Sequence, residues 1–186
     1  MKKIESKDLY NKKWSGGMTK ELFIYPEKSN YNLRDFDFRI SSATIEVEES
    51  QFTSLPKYNR ILMVLKGSLD IIHKDQYQIH LNEFDIDKFS GAWETKSYGK
   101  VTDFNLMTSS KCYGNIKYMK INKKTISIKN DCEILVYYCY NGKGSINNVS
   151  INTGDIMVFD LNDQFNIEII SNSNSLVLIK STIGYL

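Results

Sequence analysis

Apolar and polar residues alternate with a period of two along most of the chain, in short runs broken by Gly, Asn and Asp. That pattern predicts strands, not helices. In residues 19–25 it sets Thr19, Glu21, Phe23 and Tyr25 on one face, with Leu22 and Ile24 on the other. In the next run Phe36, Phe38 and Ile40 oppose Asp37, Arg39 and Ser41. Residues 61–65 are apolar at every position, as expected of a strand covered on both faces. Asp103, Asn105 and Met107 then oppose Phe104 and Leu106. Beyond Gly114 the pattern predicts strands at 116–121, 125–128, 134–140, 147–151, 156–161, 165–170 and 175–181. No capped helical stripe occurs, and only 31–35 and 109–115 admit a short helix.

One segment is used twice. Residues 60–91 read as three strands with a hairpin at Lys74-Asp75-Gln76 and a turn at Asn82 to Asp85. A degraded copy runs from 133 to 159: Ile61-Leu62 recurs as Ile134-Leu135, and Gly67 finds counterparts at Gly142 and Gly144. Leu81-Asn82-Glu83-Phe84-Asp85 recurs as Ile151-Asn152-Thr153-Gly154-Asp155. Many short strands, a duplication and almost no helix predict an all-β protein built as a bicupin. The expected architecture is two tandem cupin-like antiparallel β-barrels of the jelly-roll type. Residues 1–113 would form the first, carrying a ligand pocket, and residues 114–186 the second, packed as one unit. An immunoglobulin-like sandwich accounts for the strand count but not for the repeat.

Composition narrows the function. Of 186 residues 41% are hydrophobic and 2 are proline, which predicts an ordered chain with a substantial core. The net charge of +2 comes from 24 basic and 22 acidic residues with no long run of either sign, so no nucleic-acid partner is expected. No secretory leader or long apolar span is read, predicting a cytoplasmic protein with no membrane partner. Cys112, Cys132 and Cys139 form no C-x-x-C pair and are expected to be reduced.

The candidate chemistry lies in the i, i+2 polar pairs: Thr19 with Glu21, Arg39 with Ser41, and Asp103 with Asn105. Turned inward they converge; turned outward they are ordinary solvent faces. In the inward case Arg39 and Arg60 anchor an anion, Glu21 and Asp103 orient them, and the Gly16-Gly17 turn offers backbone N–H groups. The matching ligand is a small molecule with a carboxylate or a formyl or imidazole-like polar end. His73 and His80, flanking one hairpin, read as surface or edge histidines and are too few for a cupin metal site, so no metal and no cofactor are expected. No G-x-S-x-G elbow, phosphate loop or dinucleotide motif is present. Two other functions stay open: a metal-free lyase or isomerase with Glu21 or Asp103 as general base, or an interaction module. In the latter Tyr137, Tyr138 and Tyr140 face a partner subunit, a homodimer through sheet edges.

Several motifs together resemble the HutD/Ves family: Trp14-Ser15-Gly16-Gly17-Met18-Thr19-Lys20-Glu21, Asp37-Phe38-Arg39-Ile40-Ser41, Phe52-Thr53-Ser54-Leu55-Pro56 with Asn59-Arg60, Phe89-Ser90-Gly91, and Asp103-Phe104-Asn105-Leu106-Met107. The resemblance spans residues 10–110. It implies a bicupin that binds a small molecule, is linked in many bacteria to histidine utilisation, has a proposed regulatory role and has no established catalytic activity. It adds Trp14, Phe89, Gly91 and Met107 to the candidate ligand-binding residues. Phe38 stands where the family often has Trp, and Asn59-Arg60 where it has an Asp-Arg pair; losing that carboxylate bears on which ligand charge is preferred.

Overall fold

The computed structural model describes residues 1–122, 125–129, 132–160 and 166–186. Among these the chain forms nineteen strands and one short 3-10 turn, Ser6–Asp8. The strands of the first half are β1 (Lys2–Ile4), β2 (Tyr10–Trp14), β3 (Gly17–Tyr25), β4 (Phe38–Ile45), β5 (Glu49–Gln51), β6 (Tyr58–Lys66), β7 (Leu69–His73), β8 (Tyr77–Leu81), β9 (Ile86–Ser90), β10 (Thr95–Tyr98) and β11 (Val101–Ser109). Those of the second half are β12 (Cys112–Ile121), β13 (Thr125–Lys129), β14 (Ile134–Asn141), β15 (Lys143–Ile146), β16 (Val149–Asn152), β17 (Ile156–Phe159), β18 (Asn166–Ser171) and β19 (Leu176–Tyr185). The expected strand ends at Leu161 and Phe165 lie outside the described residues. No helix forms at 31–35 or 109–115. At the first, side chains close a turn instead: the Asn30 N–H donates to Asp35 Oδ1 at 2.7 Å, the Asn32 N–H donates to Asn30 Oδ1 at 2.8 Å, and Arg34 takes a φ of 56°. The second is a turn that runs directly into β12.

The chain divides into two compact units, Tyr10–Tyr113 and Met1–Leu9 with Gly114–Leu186. The first strand thus belongs with the second half, where β1 pairs antiparallel to β17 through Lys2–Val158, Lys3–Met157 and Ile4–Ile156.

The unit 10–113 has two antiparallel sheets, β2-β3-β4-β11-β6-β9 and β5-β10-β7-β8. Its core joins Ile45, Leu62, Val64, Phe89 and Val101 of the larger sheet to Leu69, Ile71 and Leu81 of the smaller. Ile61, Met63 and Leu65, on the opposite face of β6, are buried too. The other unit has sheets β1-β17-β14-β19-β12 and β13-β18-β15-β16 around Leu135, Tyr137, Cys139, Ile151, Phe159 and Leu178. Tyr137 is fully buried and Tyr138 nearly so; Tyr137 fills the core instead of facing a partner.

The repeat is visible bond by bond. After β8, the Phe84 N–H donates to Val64 O and the Val64 N–H to Asp85 O; after β16, the Gly154 N–H donates to Cys139 O and the Cys139 N–H to Asp155 O. In both copies the aspartate side chain accepts the N–H of the asparagine three residues earlier, at 2.9 Å in Asn82–Asp85 and 3.0 Å in Asn152–Asp155. The residue before the aspartate takes a positive φ, 92° at Gly154 and 70° at Phe84. Glycine takes that conformation without strain, so the second copy carries the residue type the turn favours.

Candidate functional site

Strand register aligns the polar positions of the larger sheet into rows. Glu21 lies opposite Ser41, Ser41 opposite Asn105, and Asn105 opposite Leu62. One row along, Thr19, Ala43, Asp103 and Val64 face each other in turn; on the other side Arg39, Met107, Arg60 and Phe89 do. Side chains of paired residues share a face. The interior therefore has an apolar end, around Leu62, Val64 and Ile45, and a polar end.

The polar end is a cavity of about 540 Å³, lined by Trp14, Thr19, Glu21, Arg39, Ser41, Arg60, Asp103, Asn105 and Met107 among others. The inward case of the sequence patterning is thus the one that occurs. Gly16, Gly17, Phe89 and Gly91 lie outside the lining. At Gly17, with φ 150°, a Cβ would sit 1.9 Å from Thr44 O, so this glycine serves the close approach of β3 to β4. A Cβ on Gly16 would strike the Trp14 ring, and the Gly16 carbonyl accepts the Glu46 N–H at 2.8 Å. Gly91 exchanges backbone hydrogen bonds with Leu55 and Tyr58, while Phe89 packs into the apolar core behind Arg60.

The two arginines are held differently. Arg39 Nε donates to Glu21 Oε2 at 2.6 Å and Nη1 donates to Ser41 Oγ at 3.1 Å, with the Tyr31 ring centred 4.4 Å from the guanidinium carbon. Its charge is matched. The Arg60 guanidinium carbon lies against an edge-to-face pair of rings, 4.6 Å from the centre of Phe52 and 5.3 Å from that of Phe89, and its Nε is buried with no hydrogen-bond partner. Burial pulls the Arg60 guanidinium down to about 10; Asp103 and Tyr31 oppose that drop and Arg39 adds to it. Asp103 accepts the Ala43 N–H at 3.2 Å on Oδ1, and burial pushes its carboxyl up to about 6 against the pull of Arg60 and that N–H. Also in the lining, Trp14 Nε1–H donates to Thr19 Oγ1 at 3.2 Å. Tyr10, Lys12 and Trp14 line the cavity from β2, an edge strand exposed along its length.

Asp103 yields a pH prediction. A carboxyl raised to about 6 in the folded protein contributes stability that is complete below about pH 4 and lost as pH rises through 6. At pH 7 Asp103→Asn is therefore expected to be about 3 kcal/mol more stable than the parent, an advantage that disappears toward pH 4. Urea unfolding at the two pH values checks this, and a difference independent of pH would contradict the assignment.

Tyr31 and Phe52, which cover the arginines, were not predicted as site residues. Both lie in irregular segments, where no period marks a face; for Phe52 the only signal was its place in the Phe52–Pro56 motif. Of the two histidines, one departs from the sequence reading. His80 is at the surface beside Asp70, but His73 is buried, with Nδ1 2.8 Å from Thr95 Oγ1 and Nε2 2.8 Å from Asp87 Oδ2. The Tyr77 hydroxyl donates to Asp87 Oδ1 at 2.7 Å. Neither histidine lines the cavity.

A model of the HutD family matches residues 6–177. The chain belongs to the HutD family. Among solved structures it is similar to HutD from Pseudomonas fluorescens SBW25, with 17% identity and a TM-score of 0.80 over 100% of this chain and 98% of that one. A conserved protein of unknown function from Pseudomonas aeruginosa PAO1 has 16% identity and a TM-score of 0.82, with 98% of each chain covered. Oxalate decarboxylase from Bacillus subtilis shares the cupin-like β fold at 7% identity, TM-score 0.72, over 99% of this chain and 79% of that one. No curated protein matches by sequence.

Proposed function

We propose that the cavity of this HutD-family protein binds a small carboxylate on Arg60, with Arg39 beside it and without metal, and that it retains the acid unchanged. The observation that carries this is the buried Arg60 side chain among the cavity-lining residues, with no hydrogen-bond partner at its Nε. A buried cation is tolerated when it is paired, and a planar carboxylate matches the guanidinium fork. Arg39, already bound to Glu21 and Ser41, supplies a second positive field without competing for the same position. A volume of about 540 Å³ lies within the usual range of small-molecule pockets. In finer detail the reading makes each pair of sheets a cupin-like barrel, the chain a bicupin, and the bound acid a signal from histidine utilisation with a regulatory outcome. The relative from Pseudomonas fluorescens was described in a formate condition, which makes formate the smallest probe to try.

The test is a thermal-shift and calorimetric screen of formate, urocanate, formylglutamate and formiminoglutamate, with and without a chelator, followed by recovery of each acid. An acid at about 100 times its Kd is expected to add roughly 2.7 kcal/mol of stability, unaffected by chelator, and to be recovered intact. No shift at millimolar concentration would refute binding; consumption of the acid would replace binding by catalysis, with Glu21 or Asp103 as the base.

A further inference from the structure

The buried charges of the cavity form two pairs, and an incoming acid upsets the balance of one. Besides Asp103, the charged or titratable side chains on the wall are Tyr10 and Lys12 of β2, Glu21 of β3, Tyr31 of the segment before β4, Arg39 of β4 and Arg60 of β6. Lys12 is exposed, so water and salt screen it. Arg39 and Glu21 are matched in direct contact at 2.6 Å. Arg60 and Asp103 are left to each other. They are 6% and 4% exposed, and among the described residues each opposes the cost of the other's burial without an ion-pair contact.

Asp103 has little else to hold its charge. Among the described residues the one hydrogen bond to its carboxyl is the Ala43 N–H on Oδ1 at 3.2 Å, which leaves Oδ2 free to carry a proton. In the empty cavity Arg60 supplies the compensating charge. A carboxylate seated on Arg60 takes that compensation for itself and adds a second negative charge to the same enclosure. Two carboxylates in one buried site cannot both stay ionised without cost, so one of them holds a proton. The acid is fixed as an anion by the Arg60 guanidinium, and Glu21 by the hydrogen bond it accepts from Arg39. Asp103 is the carboxyl that remains.

Building on the acid-binding reading, we infer that Asp103 makes the proton a second ligand of this site: a carboxylate is bound on Arg60 together with a proton on Asp103 Oδ2. Burial already holds the carboxyl of the empty cavity at about 6. A negative charge about 7 Å away, at an effective dielectric of about 20, carries that titration upward by more than one pH unit. Binding is therefore strongest at about pH 6 and below, and weakens as pH rises through the titration of the occupied site. Arg60, held at about 10, stays charged over this range.

Formate, butanoate and benzoate test the coupling, because none of them titrates between pH 6 and pH 8.5. Calorimetry at pH 7.5 in PIPES and in Tris, whose heats of ionisation differ, reads the protons taken up. About half a proton or more per bound acid is expected, and affinity should fall about tenfold or more from pH 6 to pH 8.5. Asp103→Asn keeps the Oδ1 acceptor for Ala43 without the charge. In that variant proton uptake and pH dependence should disappear, and affinity at pH 8.5 should exceed the parent's by about tenfold. Uptake that persists in Asp103→Asn would place the proton elsewhere, with Glu21 the next carboxyl, and overturn the inference. Acids that bind the wild-type protein with no uptake and with equal affinity at both pH values would overturn it too, and leave acid binding standing. If neither these acids nor those of the screen above bind even at pH 6, acid binding falls and the inference with it.

Discussion

Arg60→Met is expected to make the empty protein more stable and to abolish its response to carboxylates. Arg60 is 6% exposed, and its guanidinium has an unpartnered Nε and is held by burial at about 10. Keeping it charged in the folded protein at neutral pH therefore costs on the order of 3 kcal/mol, since each pH unit of displacement is worth about 1.4 kcal/mol. Methionine removes that charge and keeps contact with Phe52 and Phe89, because a thioether packs well against aromatic rings. Replacing a buried ion pair by apolar side chains is often neutral or stabilising, whereas removing one partner leaves the other exposed to the penalty; Asp103, which burial already pushes up to about 6, can take up a proton once Arg60 is gone. Urea unfolding should show a gain of about 1–3 kcal/mol, and carboxylate binding should weaken by a factor of about 100 or more, the scale of a lost charge-assisted pair. A variant that is less stable and still binds would show that Arg60 is structural. The two signs together separate a binding arginine from a structural one, because a structural role predicts loss of both properties.

The same residue shows how far the site could be read from the sequence. Period-two alternation placed Arg39 with Ser41 and Asp103 with Asn105 on common faces, and the rows across β3, β4, β11 and β6 bring these faces together. Alternation specifies which residues share a face, but not whether that face meets water; only the smaller sheet, supplying Leu69, Ile71 and Leu81, makes this one interior. Gly16, Gly17 and Gly91 share motifs with lining residues, yet they serve close backbone contacts that a side chain would block. The aromatic covers Tyr31 and Phe52 come from irregular segments, where spacing carries no directional information. The attachment of β1 to β17 was equally hidden, since three residues, Lys2-Lys3-Ile4, are too few to display a pattern. The duplicated turn was legible because a side-chain bond from aspartate to a preceding backbone N–H requires specific residues at fixed offsets.

His73 was legible in principle, since Leu69, Ile71 and His73 alternate onto one buried face of β7. Its removal is expected to cost a large part of this unit's stability. The ring lies 4.5 Å from Phe89, 4.7 Å from Tyr77 and 5.4 Å from Trp93, while its nitrogens meet Thr95 and Asp87. His73→Ala therefore opens a cavity among aromatic rings and leaves a buried carboxylate with the Tyr77 hydroxyl alone, a combined cost of about 3–5 kcal/mol. His73→Phe separates the two contributions. It refills the volume but offers Asp87 and Thr95 nothing, so if the polar network dominates it should still lose about 2–3 kcal/mol. Both are measured by urea unfolding, and recovery by His73→Phe to within about 1 kcal/mol of the parent would assign the role to packing alone. Because neither substitution touches the cavity lining, an acid bound on Arg60 should still stabilise both variants by mass action, which places His73 in the scaffold and Arg60 in the site.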